Sequence, residues 1–146
     1  AYLYSYINKP WKTQELVRKI LKDQYKNEPN GHCGNEDCGQ MSSWYVFSSL
    51  GFYPVNPAQG IYILGSPLFD SATIQLENGE KFTIKTINNS ATNIYVQSVT
   101  LNGNEVAENY ITHQEIQKGG ILVFTMGKEP NTNHKNNLAI SNKVYN

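Results

Sequence analysis

The apolar segment at residues 41–50 constrains the fold most strongly. It reads MSSWYVFSSL, so every polar side chain after Gln40 is a serine, and no charged residue occurs between Asp37 and Asp70. We predict a helix from about residue 38 or 39 to residue 50, ended by Gly51 as a left-handed cap. A helix that is apolar on most sides is normally buried on most sides. Other elements must therefore cover it.

The residues before this segment predict further helical structure. Residues 1–9 fit the last turns of a helix that ends before Pro10. A second, amphipathic helix follows, with Thr13 as its N-cap and Arg18 facing solvent. Its apolar residues recur at helical spacing: Leu16, Val17, Ile20 and Leu21. Because one complete helix cannot cover residues 41–50, we expect the chain to be a piece of a longer protein.

After Pro57 the sequence changes to short apolar or alternating runs separated by Gly and Asn turns, which is typical of β structure. The strands that we predict span residues 61–64, 72–76, 81–87, 93–101, 110–116 and 121–126. Alternation in the strand at 93–101 places Val96 and Val99 on opposite faces. The prediction is an α+β fold with a helical segment at 1–57, a small antiparallel β-sheet or sandwich at 58–127, and a polar tail at 128–146.

Composition excludes several classes of function. Twelve basic residues balance twelve acidic ones, which leaves no basic footprint for nucleic acid or anionic lipid. The longest apolar segment is too short to span a membrane, and no secretory signal is visible. Ten tyrosines and many asparagines suit stacking on sugars and hydrogen bonding to hydroxyls, but these residues also fill sheet and turn positions.

The main candidate for chemistry is the polar cluster Asn35-Glu36-Asp37. A carboxylate near a helix start, with an amide beside it, suits general base catalysis on water or binding of sugar hydroxyls. An Asp at this place is also explained as a helix cap without any further role, and the two interpretations are compatible. Gln40 either donates to a ligand or completes the cap.

Other reactive residues give weaker patterns. Cys33 and Cys38 are expected to be free thiols; a disulfide is compatible with their spacing but not required by it. Together with His32 they supply only three of the four ligands that a zinc site needs. We expect the isolated His113 and His134 at the surface. Residues 88–90 match a glycosylation sequon, a short motif with low specificity.

A family resemblance rests on three segments: AYLYSYINKPWKTQELVRKIL, GNEDCGQMSSWYVFSSLGFYPVNP and YILGSPLFDSATIQL. In this order they resemble the C-terminal part of bacterial glycoside hydrolase family 92, over residues 1–126. Members of this family are calcium-dependent, inverting exo-α-mannosidases, often acting on α-1,2 linkages in mannose-containing glycans such as mannan or N-glycans. The resemblance implies that the chain holds the terminal helices of an (α/α)6 barrel and the strands that follow. The family's general-acid glutamate and most of its calcium site would lie upstream.

The resemblance also implies roles for the polar cluster. Asp37 corresponds to the general base, assisted by residue 35, which is Asn35 here where other members have Asp. Glu36 and Gln40 are expected to contact substrate. An inverting hydrolase needs its acid and base carboxyl groups roughly 6.5–9.5 Å apart, and Asp37 supplies only one of the two. Calcium would bind sugar hydroxyls, with ligands that the sequence does not identify.

Three further expectations follow from the resemblance. The parent enzyme would be periplasmic or secreted, and the fragment alone would be inactive. The fragment would expose an apolar face around Trp44, Tyr45 and Phe47 and would self-associate. The alternative function is a stand-alone carbohydrate-binding or structural β module without catalysis.

Overall fold

A computed structural model describes residues 1–132 of the chain as a mixed α and β structure. Within that range no helix has the length and apolar composition needed to cross a membrane. In chain order the elements are α1 (Leu3–Tyr6), α2 (Pro10–Asp23), α3 (Gln40–Leu50), β1 (Phe52–Tyr53), a 3-10 turn (Pro57–Gln59), β2 (Ile61–Leu64), β3 (Ser71–Gln75), β4 (Lys81–Ile87), β5 (Tyr95–Leu101), β6 (Asn104–Glu105), β7 (Tyr110–Thr112), α4 (His113–Gln117) and β8 (Gly120–Gly127).

The strands form two sheets, one ordered β1-β2-β7 and the other β3-β4-β8-β5-β6. The hairpin predicted at Asn78-Gly79 is confirmed as the β3–β4 turn, with Gly79 at a φ of 87°. The prediction of a wholly antiparallel sheet is wrong, because β4 and β8 pair in parallel. Parallel neighbours need a long crossover, and here the chain from β5 to α4 provides it.

Strand β5 contains an irregularity that the predicted alternation missed. The register shifts between Val96 and Ser98, so Gln97 is an extra residue in the strand. Val96 and Val99 are therefore both buried, rather than on opposite faces. An extra residue in one strand changes which face the following side chains occupy.

The predicted strand at 110–116 ends early, at Thr112, because a helix begins there. The Thr112 hydroxyl accepts a hydrogen bond from the Glu115 backbone N–H, and the Glu115 carboxylate accepts one from the Thr112 N–H. This reciprocal capping box starts α4. The spacing Thr-x-x-Glu was present in the sequence and outweighed the alternating pattern.

Two expectations about α2 are also wrong. The helix begins at Pro10 rather than after Thr13, because a proline is well suited to the first helical position; Thr13 is buried and accepts a hydrogen bond from Ser5. Arg18 does not face solvent. Its Nε donates to the Ser66 hydroxyl at 2.9 Å, and a second guanidinium nitrogen donates to Asn89. Arg18 thus ties the helical segment to the β region.

Two apolar cores hold the structure together. The larger core lies between the two sheets and includes the fully buried rings of Phe52, Phe82 and Phe124. The smaller core joins α1 and α2 to β2 through Tyr2, Val17, Leu21 and Ile63. Because β1 pairs with β2, the strand pairing crosses the predicted boundary at residue 57.

Helix α3 is less covered than its composition predicts. Among the described residues, its buried members are Ser48 and Ser49. The aromatic face expected to be exposed is instead half-buried, because Trp44, Tyr45 and Phe47 pack against neighbouring rings such as Tyr25 and Tyr53. Exposed apolar side chains occur at other positions, namely Leu3 on α1 at 71% exposure, Ile7 directly after α1 at 59%, and Val46 on α3 at 54%.

Candidate functional site

The candidate site lies on the loop between α2 and α3, which is closed at its start by a tight turn. The Lys26 N–H donates to the Gly31 carbonyl, and the Gly31 N–H donates to the Glu28 carbonyl, both at 2.9 Å. A Cβ at Gly31 would lie 2.0 Å from the Lys26 carbonyl oxygen. Only glycine fits there, and the turn brings His32 beside Tyr25 in an antiparallel bridge.

The loop reaches α3 through three successive residues in the left-handed region. Asp37, Cys38 and Gly39 have φ values of 38°, 60° and 83°. Left-handed backbone is uncommon for residues other than glycine and costs on the order of 1–3 kcal/mol at each. Gly39, not Asp37, is the N-cap of α3. The interpretation of Asp37 as a helix cap is therefore wrong.

Glu36, rather than Asp37, contacts the N-terminus of α3 through its side chain. Its Oε1 accepts a hydrogen bond from the Ser42 backbone N–H at 3.1 Å. Its Oε2 lies 2.8 Å from Nδ1 of His32, within ion-pair distance when the imidazole is protonated. This second approach lacks the alignment of a hydrogen bond, and the Oε2 atom is itself buried. Glu36 is thus engaged by the chain's own groups.

Tyr25 also contacts the start of α3 and His32. Its hydroxyl donates to the Met41 carbonyl at 3.0 Å, in the first turn of α3. Its ring stacks on Trp44 at 5.8 Å between centroids and meets His32 edge-on at the same distance. Partial burial, with smaller contributions from charges at Cys33 and Glu36, raises the pKa of the Tyr25 phenol. The phenol is protonated at neutral pH, since its ordinary pKa is already about 10, and it donates to Met41.

The other three predicted site residues are available to a ligand. The side chains of Asn35, Asp37 and Gln40 are exposed. None makes a hydrogen bond or ion pair with any part of the chain in residues 1–132. A groove of ≈ 400 Å³ beside His32 and Tyr45 and one of ≈ 270 Å³ beside His32 and Glu36 flank the loop. Asn35, Asp37 and Gln40 line neither groove.

The sequence does not predict that Tyr25, His32 and Ser42 contact Glu36 or the start of α3. Tyr25 follows the end of α2 and belongs to no motif. Glu36 caps the helix across a separation of six residues, whereas the recognisable capping pattern in sequence has a separation of three. The sequence therefore carried no simple signal for these contacts.

The described residues contain no cluster of metal-binding side chains. Within residues 1–132, no three His, Cys, Asp or Glu side chains converge as metal ligands. Calcium takes six to eight oxygen ligands, and the Glu36 oxygens already face Ser42 and His32. These residues alone do not fit a calcium site. Cys33 and Cys38 are both exposed and unbonded.

The remaining histidine and sequon predictions concern the surface. His113 is exposed, as predicted, and its Nδ1 hydrogen-bonds with the Tyr62 hydroxyl at 3.1 Å. His134 lies outside the described residues. In the sequon, Asn88 is exposed with a φ of 61°.

Comparison with known proteins identifies the family. The family model for the glycosyl hydrolase family 92 catalytic domain matches residues 1–128. The chain therefore belongs to glycoside hydrolase family 92, and the predicted resemblance is confirmed.

The relatives are much longer than the chain. A family GH92 α-mannosidase from Bacteroides thetaiotaomicron, solved in complex with mannoimidazole, is 41% identical with a TM-score of 0.87; the match covers 90% of this chain and 17% of that one. A family GH92 inverting mannosidase from the same organism is 45% identical with a TM-score of 0.84, covering 90% and 18%. An uncharacterized secreted glycosidase from Arthroderma benhamiae is 33% identical over an alignment of 132 residues, and the match covers 88% of this chain and 17% of the relative.

Proposed function

We propose that this chain is the C-terminal part of an inverting exo-α-mannosidase and that it carries the general base. Its family and its similarity to two mannosidases, one named as inverting, support this proposal. The mannoimidazole bound to one of these relatives supports mannose-containing glycans as the substrate class.

The observation that carries the proposal is the contrast between Glu36 and Asp37. Glu36 is held by Ser42 and His32, whereas the adjacent Asp37 carboxylate is exposed and has no hydrogen-bond or ion-pair partner within residues 1–132. A general base must be free to reach the proton that it removes. Asp37 meets this requirement while its backbone is held in a defined turn.

In the proposed reaction, Asp37 removes a proton from a water molecule as that water attacks the anomeric carbon. A carboxylic acid on the opposite side of the glycosidic bond protonates the leaving oxygen. The sugar is released with its anomeric configuration inverted, from α to β. Asn35 would orient the water, and Gln40 is the candidate for contact with sugar hydroxyls, since both oxygens of Glu36 face Ser42 and His32.

The general acid and the rest of the barrel would lie in the remainder of the enzyme, since the chain spans less than a fifth of each of the three relatives described above. We propose α1, α2 and α3 as terminal helices of an (α/α)6 barrel, consistent with exposed apolar side chains such as Leu3 and Val46. The isolated chain would then be inactive and self-associate through these residues. Light scattering tests the association, and a monomeric mass at high concentration contradicts it.

Two further properties belong to the proposed whole enzyme. Calcium would be held mostly by residues outside this chain, where it would contact sugar hydroxyls. Export to the periplasm or the medium is consistent with the secreted relative from Arthroderma benhamiae.

The deciding experiment assays the full-length protein and the 146-residue chain on a synthetic α-mannoside, with calcium and with a chelator. We expect calcium-dependent turnover by the full-length protein only, and NMR during the reaction should show β-mannose as the first product. Turnover by the short chain contradicts its proposed inactivity, and α-mannose as the first product contradicts inversion. Mannose binding without turnover by the full-length protein favours the carbohydrate-binding module instead.

A further inference from the structure

We infer that Glu36 is a positioning residue: it holds the turn that carries Asp37 against the first turn of α3. This inference rests on the proposed role of Asp37 as the general base. It gives the two adjacent acidic residues different tasks. One fixes the backbone, and the other remains free for the reaction.

The first support is the capping of α3. The first four N–H groups of a helix have no partner within the helix, and the N-cap, Gly39, has no side chain that could supply one. The Glu36 carboxylate accepts from Ser42 at 3.1 Å, while the nearby backbone bond from Met41 to the Glu36 carbonyl is longer, at 3.5 Å. A carboxylate at a helix N-terminus is also favoured by the helix dipole.

The second support is the conformation of the backbone between Glu36 and the start of α3. Between Glu36 and Gln40 the chain passes through Asp37, Cys38 and Gly39, all with positive φ. A non-glycine residue keeps such a conformation only where the surrounding structure holds it. Glu36 fixes the start of this turn to α3, and α3 itself fixes the end. Loss of the Glu36 contact would release the Asp37 backbone.

The third support is that Tyr25 also contacts the first turn of α3 and His32. Tyr25 donates to the Met41 carbonyl, one residue before the amide that Glu36 accepts from. Tyr25 also packs edge-on against His32, which approaches the second oxygen of Glu36. Both oxygens of Glu36 are therefore directed at groups of the chain, which distinguishes its surroundings from those of Asp37.

The test uses the full-length enzyme with Glu36→Ala, Glu36→Gln and a control, Glu28→Ala. Glu28 is an exposed carboxylate on the same loop that lies 3.9 Å from Lys26 and caps no helix. Hydrogen exchange of the Ser42 amide, resolved by mass spectrometry with fragmentation, reports the cap. The kcat and KM for an α-mannoside report the reaction.

We expect Glu36→Ala to accelerate Ser42 exchange about fivefold, the usual effect of a lost cap. The same variant should lower kcat about 10- to 100-fold, since small displacements of a catalytic group are costly, with little change in KM. Glu36→Gln keeps an oxygen acceptor for Ser42, so it should rescue most of both effects. Glu28→Ala should leave both unchanged.

Several outcomes would overturn the inference. A raised KM with unchanged Ser42 exchange would show that Glu36 contacts the sugar directly. Loss of kcat in Glu36→Gln as in Glu36→Ala, with exchange unchanged in both, would show a chemical role for the charge. Full activity in Asp37→Ala would instead remove the proposed base, and faster exchange in Glu36→Ala would then describe a cap without a catalytic consequence.

Discussion

Replacing Gly51 with alanine tests how α3 is joined to the β region. Gly51 follows the last residue of α3 with a φ of 98°, which an L side chain rarely adopts. A Cβ added there would lie 3.0 Å from Cβ of Pro67 and 3.2 Å from Cζ of Phe124. Both neighbours are buried rings that cannot move aside easily. The substitution therefore combines backbone strain with overpacking.

A second glycine separates these two effects. Gly79, in the β3–β4 turn, has a similar φ of 87°, but an added Cβ there would meet nothing within 4 Å. Gly79→Ala should cost only the left-handed backbone term, about 1–2 kcal/mol. Gly51→Ala should cost that term plus about 1–3 kcal/mol for overpacking, roughly 2–5 kcal/mol in total.

Urea unfolding, followed by circular dichroism on wild type and both variants, measures the two free energies. Gly51→Ala should be the more destabilising by about 1–3 kcal/mol, with unchanged m-values. Equal destabilisation of the two variants would refute the close approach of Gly51 to Pro67 and Phe124.

Two further predictions concern tyrosines. Tyr25→Phe removes the donor to Met41 and should lower the free energy of unfolding by about 1 kcal/mol; no loss in urea unfolding would contradict this hydrogen bond. Burial raises the pKa of the Tyr2 phenol, outweighing the opposing effect of its hydrogen bond to Ser48. Above a pH of about 10 the unfolded state ionises while folded Tyr2 keeps its proton, so the free energy of unfolding should fall by up to about 1.4 kcal/mol per pH unit. Tyr2→Phe should remove this contribution, and an identical pH dependence in the variant would contradict it.

The sequence predicted those parts of the fold that depend on local patterns. The β3–β4 hairpin followed from Asn78-Gly79, and β4 has the predicted bounds. Where local signals conflict, the prediction is wrong: Thr13 indicates the start of α2, which begins at Pro10, and alternation indicates a strand at 110–116, where Thr112-x-x-Glu115 begins α4. The parallel pairing of β4 with β8 depends on contacts between distant residues, which local periodicity does not encode.

The sequence predicts which residues form the candidate site but not how their side chains are arranged. The cluster of Asn35, Glu36, Asp37 and Gln40 was found from its charge and position before an apolar helix. Whether Glu36 or Asp37 contacts α3 depends on the positive φ values at Asp37 and Cys38. Cysteine is not a residue type that signals this conformation. The support from Tyr25 comes from the opposite end of the loop.

The most direct test of the central claim is the activity of Asp37→Ala in the full-length enzyme, beside Glu28→Ala as a control that removes a carboxylate from the same loop. Loss of a general base should lower kcat on an α-mannoside by about 10²–10⁴-fold, while Glu28→Ala should keep the wild-type rate. Azide, a nucleophile that needs no deprotonation, should partly restore turnover in Asp37→Ala and give a β-mannosyl azide. Wild-type kcat in Asp37→Ala would contradict the assignment of Asp37 as the general base.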